Sequence, residues 1–330
     1  MSLNLFDSNS LGQALKLLSD GEFHSGEELG ALLGVSRAAV WKTLKKFELL
    51  GIDLISVKGK GYCIGGGLDL LDQSKIFSGR CESLNINVFA QVDSTNSYLL
   101  RQNKPERHVC LAENQTAGRG RRGRIWVSPF AQNLYLSIGW GFDGGVAVLE
   151  GLSLAIGLAV VRSLRHYGIS GLKLKWPNDI LYKDKKLGGV LIEMNGDPSG
   201  YCLVVVGVGL NVSMHDDHAS SIDQPWINLN DILAEQGVPL VTRNQLASSL
   251  LDELVLILSD YHRIGFAAYK EEWALSAAHM NQAVSIHSGN TVRTGVMRGV
   301  DSTGALRLDV DGKEQIFHGG ELSLRGAYAS

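Results

Sequence analysis

Residues 118–124 read Gly118-Arg119-Gly120-Arg121-Arg122-Gly123-Arg124, four guanidinium groups and three glycines in seven positions. Guanidinium forks pair with carboxylates and phosphates through parallel N–H donors, and at this spacing they repel one another until an anion arrives. Glycine is worth about 1 kcal/mol less than alanine in a helix. The stretch is therefore expected to be a loop, mobile when empty, that folds over an anion, with a phosphate-bearing ligand the best fit. A solvated, RG-rich nucleic-acid tether is the alternative, and the strands expected on both sides speak against it. His215-Asp216-Asp217-His218 has metal-ligand chemistry but no companion ligand motif, so no resident metal is expected. No GxxxxGK[ST] occurs, and neither a P-loop nor a Rossmann nucleotide site is expected.

The elements that must position this loop follow an α/β pattern. Val88–Val92 and Val109–Ala112 read as strands on either side of Asp93-Ser94-Thr95-Asn96, a polar run that caps a short helix and offers its free N–H groups. Leu134–Ile138 alternates as a strand, and Leu152, Ala155, Ile156, Ala159, Val160 and Leu164 mark a buried helix. Leu172–Trp176 leads into the sharp turn Pro177-Asn178-Asp179, then a hairpin from Ile180–Tyr182 to Lys186–Glu193. Cys202–Val206 is a further strand, ending in Gly207-Val208-Gly209-Leu210-Asn211. That glycine pair is either a bulge or a place where a ligand or another backbone comes close. Residues 246–261 and the segment through Trp273 read as helices, followed by short strands at 283–287, 292–300, 305–310 and 314–318. Hairpin-joined strands with a few helices make a mixed, mainly antiparallel α+β unit followed by a small β-barrel.

The first sixty-five residues are different. Leu11, Ala14, Leu15 and Leu18 mark one helix, Ser25-Gly26-Glu27-Glu28 is a capping box for a second, and Ser36 caps a third with Val40, Leu44 and Phe47 inward. Its outer face carries Arg37, Ala38, Trp41, Lys42, Lys45 and Lys46, and a hairpin around Gly59-Lys60-Gly61 adds Lys58 and Lys60. Residues 7–28 hold one base against five acids, whereas residues 37–60 hold six bases against two acids. Because the positive charge lies on the two elements that would meet a duplex, the unit reads as a winged helix-turn-helix with DNA as its ligand. A protein-interaction module is the alternative. Ser36, Arg37, Ala38, Trp41, Lys42, Lys45, Lys58 and Lys60 are the expected DNA-facing residues.

The 330 residues suffice for two or three domains. A net charge of −3 excludes a generally basic nucleic-acid coat, and no apolar run is expected to approach the ~18 residues of a membrane span. The N-terminus has neither the basic nor the apolar region of a secretory signal. Four cysteines without CxxC spacing argue against a disulfide framework or a zinc site. A cytoplasmic protein is the expectation.

The segments SRAAV, GKGY, DSTN, QTAGRGRRGR, KWPND, KLGGVLIE, GVGLN and GGELSLR follow one another from Ser36 to Arg325. On these the chain resembles the bacterial bifunctional biotin protein ligases that double as biotin-operon repressors. The resemblance implies a winged helix-turn-helix at 1–65, a class II synthetase-like mixed α/β catalytic domain at 66–276 and an SH3-like barrel at 277–330. It implies ATP with Mg²⁺ and biotin as ligands. Partners would be a biotin carboxyl carrier protein, a palindromic operator DNA and a second copy of the chain, without a membrane. Ser94, Thr95, Asn96 and Gln115 would hold the biotin ring region, Gly118 and Arg119 its carboxylate, and Trp126 would pack near the bicycle. Gly188, Leu191, Gly207 and Gly209 would line the slot. Lys186 would reach the carboxylate and α-phosphate, while Arg121, Arg124, Asn178, Asn211, Trp226 and Arg325 would serve the nucleotide. The catalytic set would be Lys186, Arg119, Arg121 and Asp179, with Asp179 as proton acceptor in the transfer step. Two readings from other classes compete: a ligand-sensing repressor without ligase activity, and a lipoate-type ligase. The stretch from Ser213 to Trp226 and the pair Phe317-His318 depart from the family pattern.

Overall fold

A computed structural model describes residues 3–4, 10–76, 79, 83–102, 105–196, 200–288, 291–318 and 322–326. A two-residue strand β1 (Leu3–Asn4) precedes three helices, α1 (Ser10–Leu18), α2 (Gly26–Leu33) and α3 (Arg37–Leu49). The Ser25/Glu28 capping box forms, Gly34 ends α2 in the left-handed region, and Ser36 Oγ accepts from Ala39 N at 3.3 Å to start α3. Leu11, Ala14, Leu15, Leu18, Leu29, Val40, Leu44 and Phe47 form the core of this unit. The hairpin β2 (Leu54–Val57) and β3 (Gly61–Ile64) packs beside it as the wing. Its attachment is specific. His24 and Tyr62 exchange backbone hydrogen bonds of 2.9 and 2.8 Å, and a Cβ on Gly61, at φ +107°, would lie 2.0 Å from His24 O.

His24 also stands between two carboxylates at this joint, with Nε2 2.9 Å from Asp20 Oδ2 and Nδ1 3.2 Å from Glu28 Oε1. Burial disfavours the imidazolium, but hydrogen bonds to Asp20 and Glu28 outweigh it and raise the His24 pKa above its ordinary value. A raised folded-state pKa means the stabilisation is complete below the ordinary histidine range and is lost as pH rises through the raised value. The expected outcome is an upward-shifted His24 ring titration in the NMR spectrum of the full chain, moved back toward ordinary by Glu28→Gln. A His24 midpoint at or below the ordinary value contradicts this.

The central sheet uses β4 (Asn85–Val92), β5 (His108–Gln115), β6 (Asn133–Phe142), β7 (Leu172–Lys175), β8 (Asp179–Tyr182), β9 (Lys185–Gly196) and β10 (Cys202–Asn211). Its order is β1-β4-β5-β6-β10-β9-β8-β7, with β4–β5 parallel and the other pairs antiparallel. The helices are α4 (Thr95–Leu100), α5 (Leu152–His166), α6 (Leu229–Gln236), α7 (Arg243–Ile264) and α8 (Lys270–Ser276). Side chains alternate across a strand, and the two faces differ. Val109 and Leu111 of β5, like Val206, Val208 and Leu210 of β10, join the core built by α5 and α7. Cys110, Ala112 and Val205 join a separate cluster with Leu99 of α4.

Two readings change here. β10 does not end at Val206 but runs through both glycines to Asn211, paired to β6 and β9 on its two sides, so the glycine pair is no bulge. The stretch Val146–His166 has a mean hydropathy of 1.8 over its most apolar window, long and apolar enough for a membrane span by composition. The polar residues interrupting it hide this from a count of unbroken runs. α5 inside it is a core helix, buried from Leu152 through Leu164 at eleven positions.

The connection from wing to sheet is not a loose linker. Leu71 N donates to Glu113 Oε1 at 2.6 Å, Asp72 N donates to Asn244 Oδ1 at 2.8 Å, and Asn244 Nδ2 donates to Leu70 O at 2.9 Å. Arg243 N donates to Asp69 Oδ2 at 2.6 Å, and its guanidinium donates to Asp69 O and, at 3.0 Å, to Asn133 O. Glu113 and Arg243, 0% and 1% exposed, pair at 2.7 Å. Burial pushes the Glu113 carboxyl up while Arg243 pulls it back.

The C-terminal unit is an antiparallel sheet of β11 (Ala283–Ser288), β12 (Thr291–Val300), β13 (Leu306–Val310), β14 (Lys313–Phe317) and β15 (Leu322–Gly326), ordered β14-β13-β12-β11-β15. The strand β15 adds to the four expected. Trp176 Nε1 donates to Gly304 O at 3.1 Å, tying this sheet to the KWPND turn. Cys63, Cys110 and Cys202 are buried free thiols, and Cys81 lies outside the described residues.

Candidate active site

A cleft of about 610 Å³ opens on the α4 face of the sheet. The strands present Tyr135, Gly207 and Gly209 there because these alternate with the core residues Leu134, Leu136, Val206, Val208 and Leu210. At one end Ser94 caps α4, Thr95 N donates to Gln115 Oε1 at 2.9 Å, and Gln115 Nε2 donates to Ser128 Oγ at 3.0 Å. Ser137 Oγ lies 2.7 Å from Thr95 Oγ1 and 2.6 Å from Asn96 Oδ1. The glycines are required by what lies over them. A Cβ on Gly207 would be 2.3 Å from Asn96 Oδ1, and one on Gly209 would be 2.6 Å from the Trp126 indole. Trp126 Nε1 is buried without a hydrogen-bond partner among the described residues.

The arginine loop closes over the cleft as a narrow hairpin. Trp126 N donates to Gly118 O at 2.9 Å and Gly120 N to Arg124 O at 2.7 Å, with the turn made by Arg122 at φ 59° and Gly123 at φ 71°. Gly118, Gly120 and Gly123 spell GxGxxG letter for letter, but the loop passes through one 3₁₀ turn into extended backbone, so the helix a dinucleotide fingerprint requires is absent. Arg119 Nη2 donates to Ser97 Oγ at 2.8 Å and to Glu193 Oε2 at 3.0 Å. Arg121 Nη1 donates to Asn178 Oδ1 at 3.2 Å, and Asn178 Nδ2 to Val190 O at 2.9 Å. Burial lowers the Arg121 pKa, with Arg122 and Arg124 adding to it and Asp179 opposing.

Lys186 stands opposite the loop, its Nζ 2.7 Å from Asp179 Oδ1 and 5.4 Å from the Trp126 ring centre. Its backbone is held from three sides. Lys186 N donates to Pro225 O at 2.9 Å, Ile227 N donates to Lys186 O at 3.0 Å, and Asn211 Nδ2 donates to Lys186 O at 3.2 Å.

The sequence matches three family profiles: the Biotin/lipoate A/B protein ligase family over residues 88–211, an HTH domain over 11–63, and the Biotin protein ligase C terminal domain over 279–325. It is 41% identical over 315 residues to the bifunctional ligase/repressor BirA of Salmonella typhimurium, covering 95% of this chain and 97% of that one. The chain belongs to the family of bifunctional biotin protein ligases. The Escherichia coli BirA is 40% identical across 95% of this chain and 96% of its own. Among solved structures, the biotin protein ligase from Aquifex aeolicus in complex with biotin and ATP matches with a TM-score of 0.64 at 26% identity, covering 74% of this chain and 99% of that one.

In this biotin protein ligase, Ser94, Thr95, Asn96, Gln115, Arg119, Arg121, Arg124, Trp126, Asn178, Asp179, Lys186, Leu191, Gly207 and Gly209 all line the one cleft. Gly118, Gly188, Asn211 and Trp226 are not among its lining residues. Gly118 closes the hairpin, Gly188 lies against Leu210, Trp226 bridges to Lys186, and Asn211 holds the Lys186 carbonyl. Arg325 is on β15 opposite Ser285, and its side chain lies outside the described residues. Ser36, Arg37, Ala38, Trp41, Lys42, Lys45, Lys58 and Lys60 are all exposed on α3 and the wing, with Lys45 Nζ 4.0 Å over the Trp41 ring. Sequence reasoning missed Ser97, Ser128, Ser137, Glu193 and His279 in or beside the cleft. Ser137 and Glu193 had a signal, since each is a polar residue in an apolar strand run. Among the described residues no group of three metal-ligating side chains forms, at His215–His218 or elsewhere.

Proposed function

We propose that the protein is an ATP-dependent biotin protein ligase that also acts as a biotin-responsive repressor. The observation that carries this is the convergence of Arg119, Arg121, Arg124 and Lys186 on one cleft whose other end is a neutral polar network, in a chain of this family. Biotin's carboxylate is ionised at neutral pH, so the first step needs no general base. Its oxygen attacks the α-phosphorus of ATP, the bond from that phosphorus to the bridging β-phosphate oxygen breaks, and pyrophosphate leaves. The task is to bring two anions together and hold charge on the α-phosphoryl oxygens, which suits preorganised cations in a partly closed site. We assign Lys186 and Arg119 to the carboxylate, with Arg121, Arg124 and Asn178 on the phosphates. Ser94, Thr95, Asn96, Gln115 and the orphaned Trp126 N–H suit the ureido end and bicycle. The product anhydride is hydrolysable, and the loop excludes water from it. A carrier lysine amine then attacks the acyl carbon and AMP leaves. Asp179, bound to Lys186, is the proposed proton acceptor.

The modules 1–65, 66–276 and 277–330 divide the work among DNA, substrates and carrier. The reading sets the protein in the cytoplasm, where ATP and operator DNA are both found. Beyond Val190 the outer edge of β9 carries no strand among the described residues, and Met194 on it is 38% exposed. Retained adenylate would favour pairing of this edge with that of a second copy, presenting two winged helices to a palindromic operator. With biotin and ATP, sedimentation should show dimers, and Met194→Glu should shift them to monomer while leaving pyrophosphate release intact. Ligand-dependent dimers that survive this change would rule out the edge. Pyrophosphate release that does not need biotin would rule out the ligase.

A further inference from the structure

One carboxylate ties the arginine loop to the floor of the cleft. Glu193 Oε2 accepts from Asn96 Nδ2 at 2.9 Å and from Arg119 Nη2 at 3.0 Å. Arg119 Nη2 gives its other hydrogen to Ser97 Oγ at 2.8 Å, so both Nη2 donors are used. The guanidinium plane is thereby set, leaving Nε and Nη1 as its remaining donors. Asn96 is fixed at both ends. Its amide N–H₂ faces Glu193 and Leu191 O, and its Oδ1 faces Ser137. Through Ser137 the chain of hydrogen bonds reaches Thr95, Gln115 and Ser128.

We propose that Glu193 is the positioning residue for the carboxylate end of the biotin site. It touches neither reacting atom. It orients Arg119 toward the ligand carboxylate and neutralises one of four crowded arginines. This rests on the reading of the cleft as the biotin site. A carboxylate is required because both oxygens lie 3.0 Å from Arg119 Nη2 while Oε2 also accepts from Asn96, so a glutamine in either orientation would set an N–H₂ against Arg119.

The test is biotin-dependent pyrophosphate release by the full chain with ATP and Mg²⁺, comparing wild type with Glu193→Ala, Glu193→Gln, Arg119→Ala and the Glu193→Ala/Arg119→Ala double variant. Losing a charged hydrogen bond on this scale should raise the KM for biotin about tenfold in Glu193→Ala. The KM for ATP should stay within about twofold, and the double variant should be no worse than Arg119→Ala alone. Glu193→Gln, nearly isosteric, should show the same selective rise, and it serves alone where the alanine variant does not fold. An unchanged KM for biotin, a matching rise in both KM values, or single effects that multiply in the double variant would overturn the proposal. Should the wild type release no pyrophosphate, the ligase reading fails. Calorimetry of biotin alone then decides this proposal, which requires weaker binding in both Glu193 variants and is overturned by equal binding.

Discussion

Lys186→Ala is expected to slow biotinyl-adenylate formation by about 10²–10³-fold, the usual effect of removing one group that stabilises developing charge. Two causes act together. The ammonium that would stand between carboxylate and α-phosphate disappears, and Asp179, without its ion pair to Lys186, places a negative charge 2.7 Å from where Nζ had been, facing two incoming anions. Lys186 is anchored through its backbone by Pro225, Ile227 and Asn211, so truncating the side chain leaves the strand in place. Biotin binding should weaken far less than the rate, because the polar end of the cleft is untouched. Adding Asp179→Asn should recover part of the loss by removing the repulsion. Single-turnover pyrophosphate release measures this. A double variant slower than Lys186→Ala would assign Asp179 a role of its own in the first step.

Arg243→Met is expected to destabilise the full chain by about 3–5 kcal/mol, because it leaves the Glu113 charge buried without its partner. The pH dependence carries the diagnosis. Without Arg243, burial and the nearby Asp69 carboxylate act on Glu113 against only the Leu71 N–H hydrogen bond, and its folded-state pKa rises further above its unfolded value. A proton on Glu113 then favours the folded state, so stability is lost as pH rises from the unfolded pKa toward the folded one. The deficit should be smaller near pH 5 than near pH 8. Glu113→Gln strands a guanidinium that does not deprotonate, so its deficit should persist across the same range. Chemical denaturation at the two pH values checks both. Because Arg243 and Glu113 also hold the backbone of Asp69 and Leu71, these variants should loosen the seat of the winged helix as well.

How much of this was legible depends on how local the cause is. The capping box at Ser25 and Glu28, the Ser36 cap and the 3.6-residue spacing of Val40, Leu44 and Phe47 act within one or two turns, so the winged helix could be read from its residues. The strand period was readable too, but not where β10 ends. Gly207 and Gly209 look like strand breakers until Asn96 and Trp126 are seen lying over them. α6 was missed although Asn228 and Gly237 cap it, because its eight residues bury only Leu229, Ile232 and Leu233. The clamp of Glu113 and Arg243 joins residues 130 positions apart, and neither carries a local mark of it. The arginine loop, KWPND and GVGLN were legible as motifs. That Asn211 supports the Lys186 backbone, and that Glu193 holds the loop, depend on strand neighbours that only the fold brings together.

The central claim is that one cleft makes biotinyl-5′-adenylate and passes the biotinyl group to a lysine. The most direct measurement is the intact mass of a biotin carrier domain after incubation with the protein, ATP, Mg²⁺ and biotin. The expected result is a gain of one biotinyl group per carrier, dependent on ATP. A carrier of unchanged mass, with biotin nonetheless bound by the protein, would contradict the account and leave a regulator that senses its ligand without transferring it.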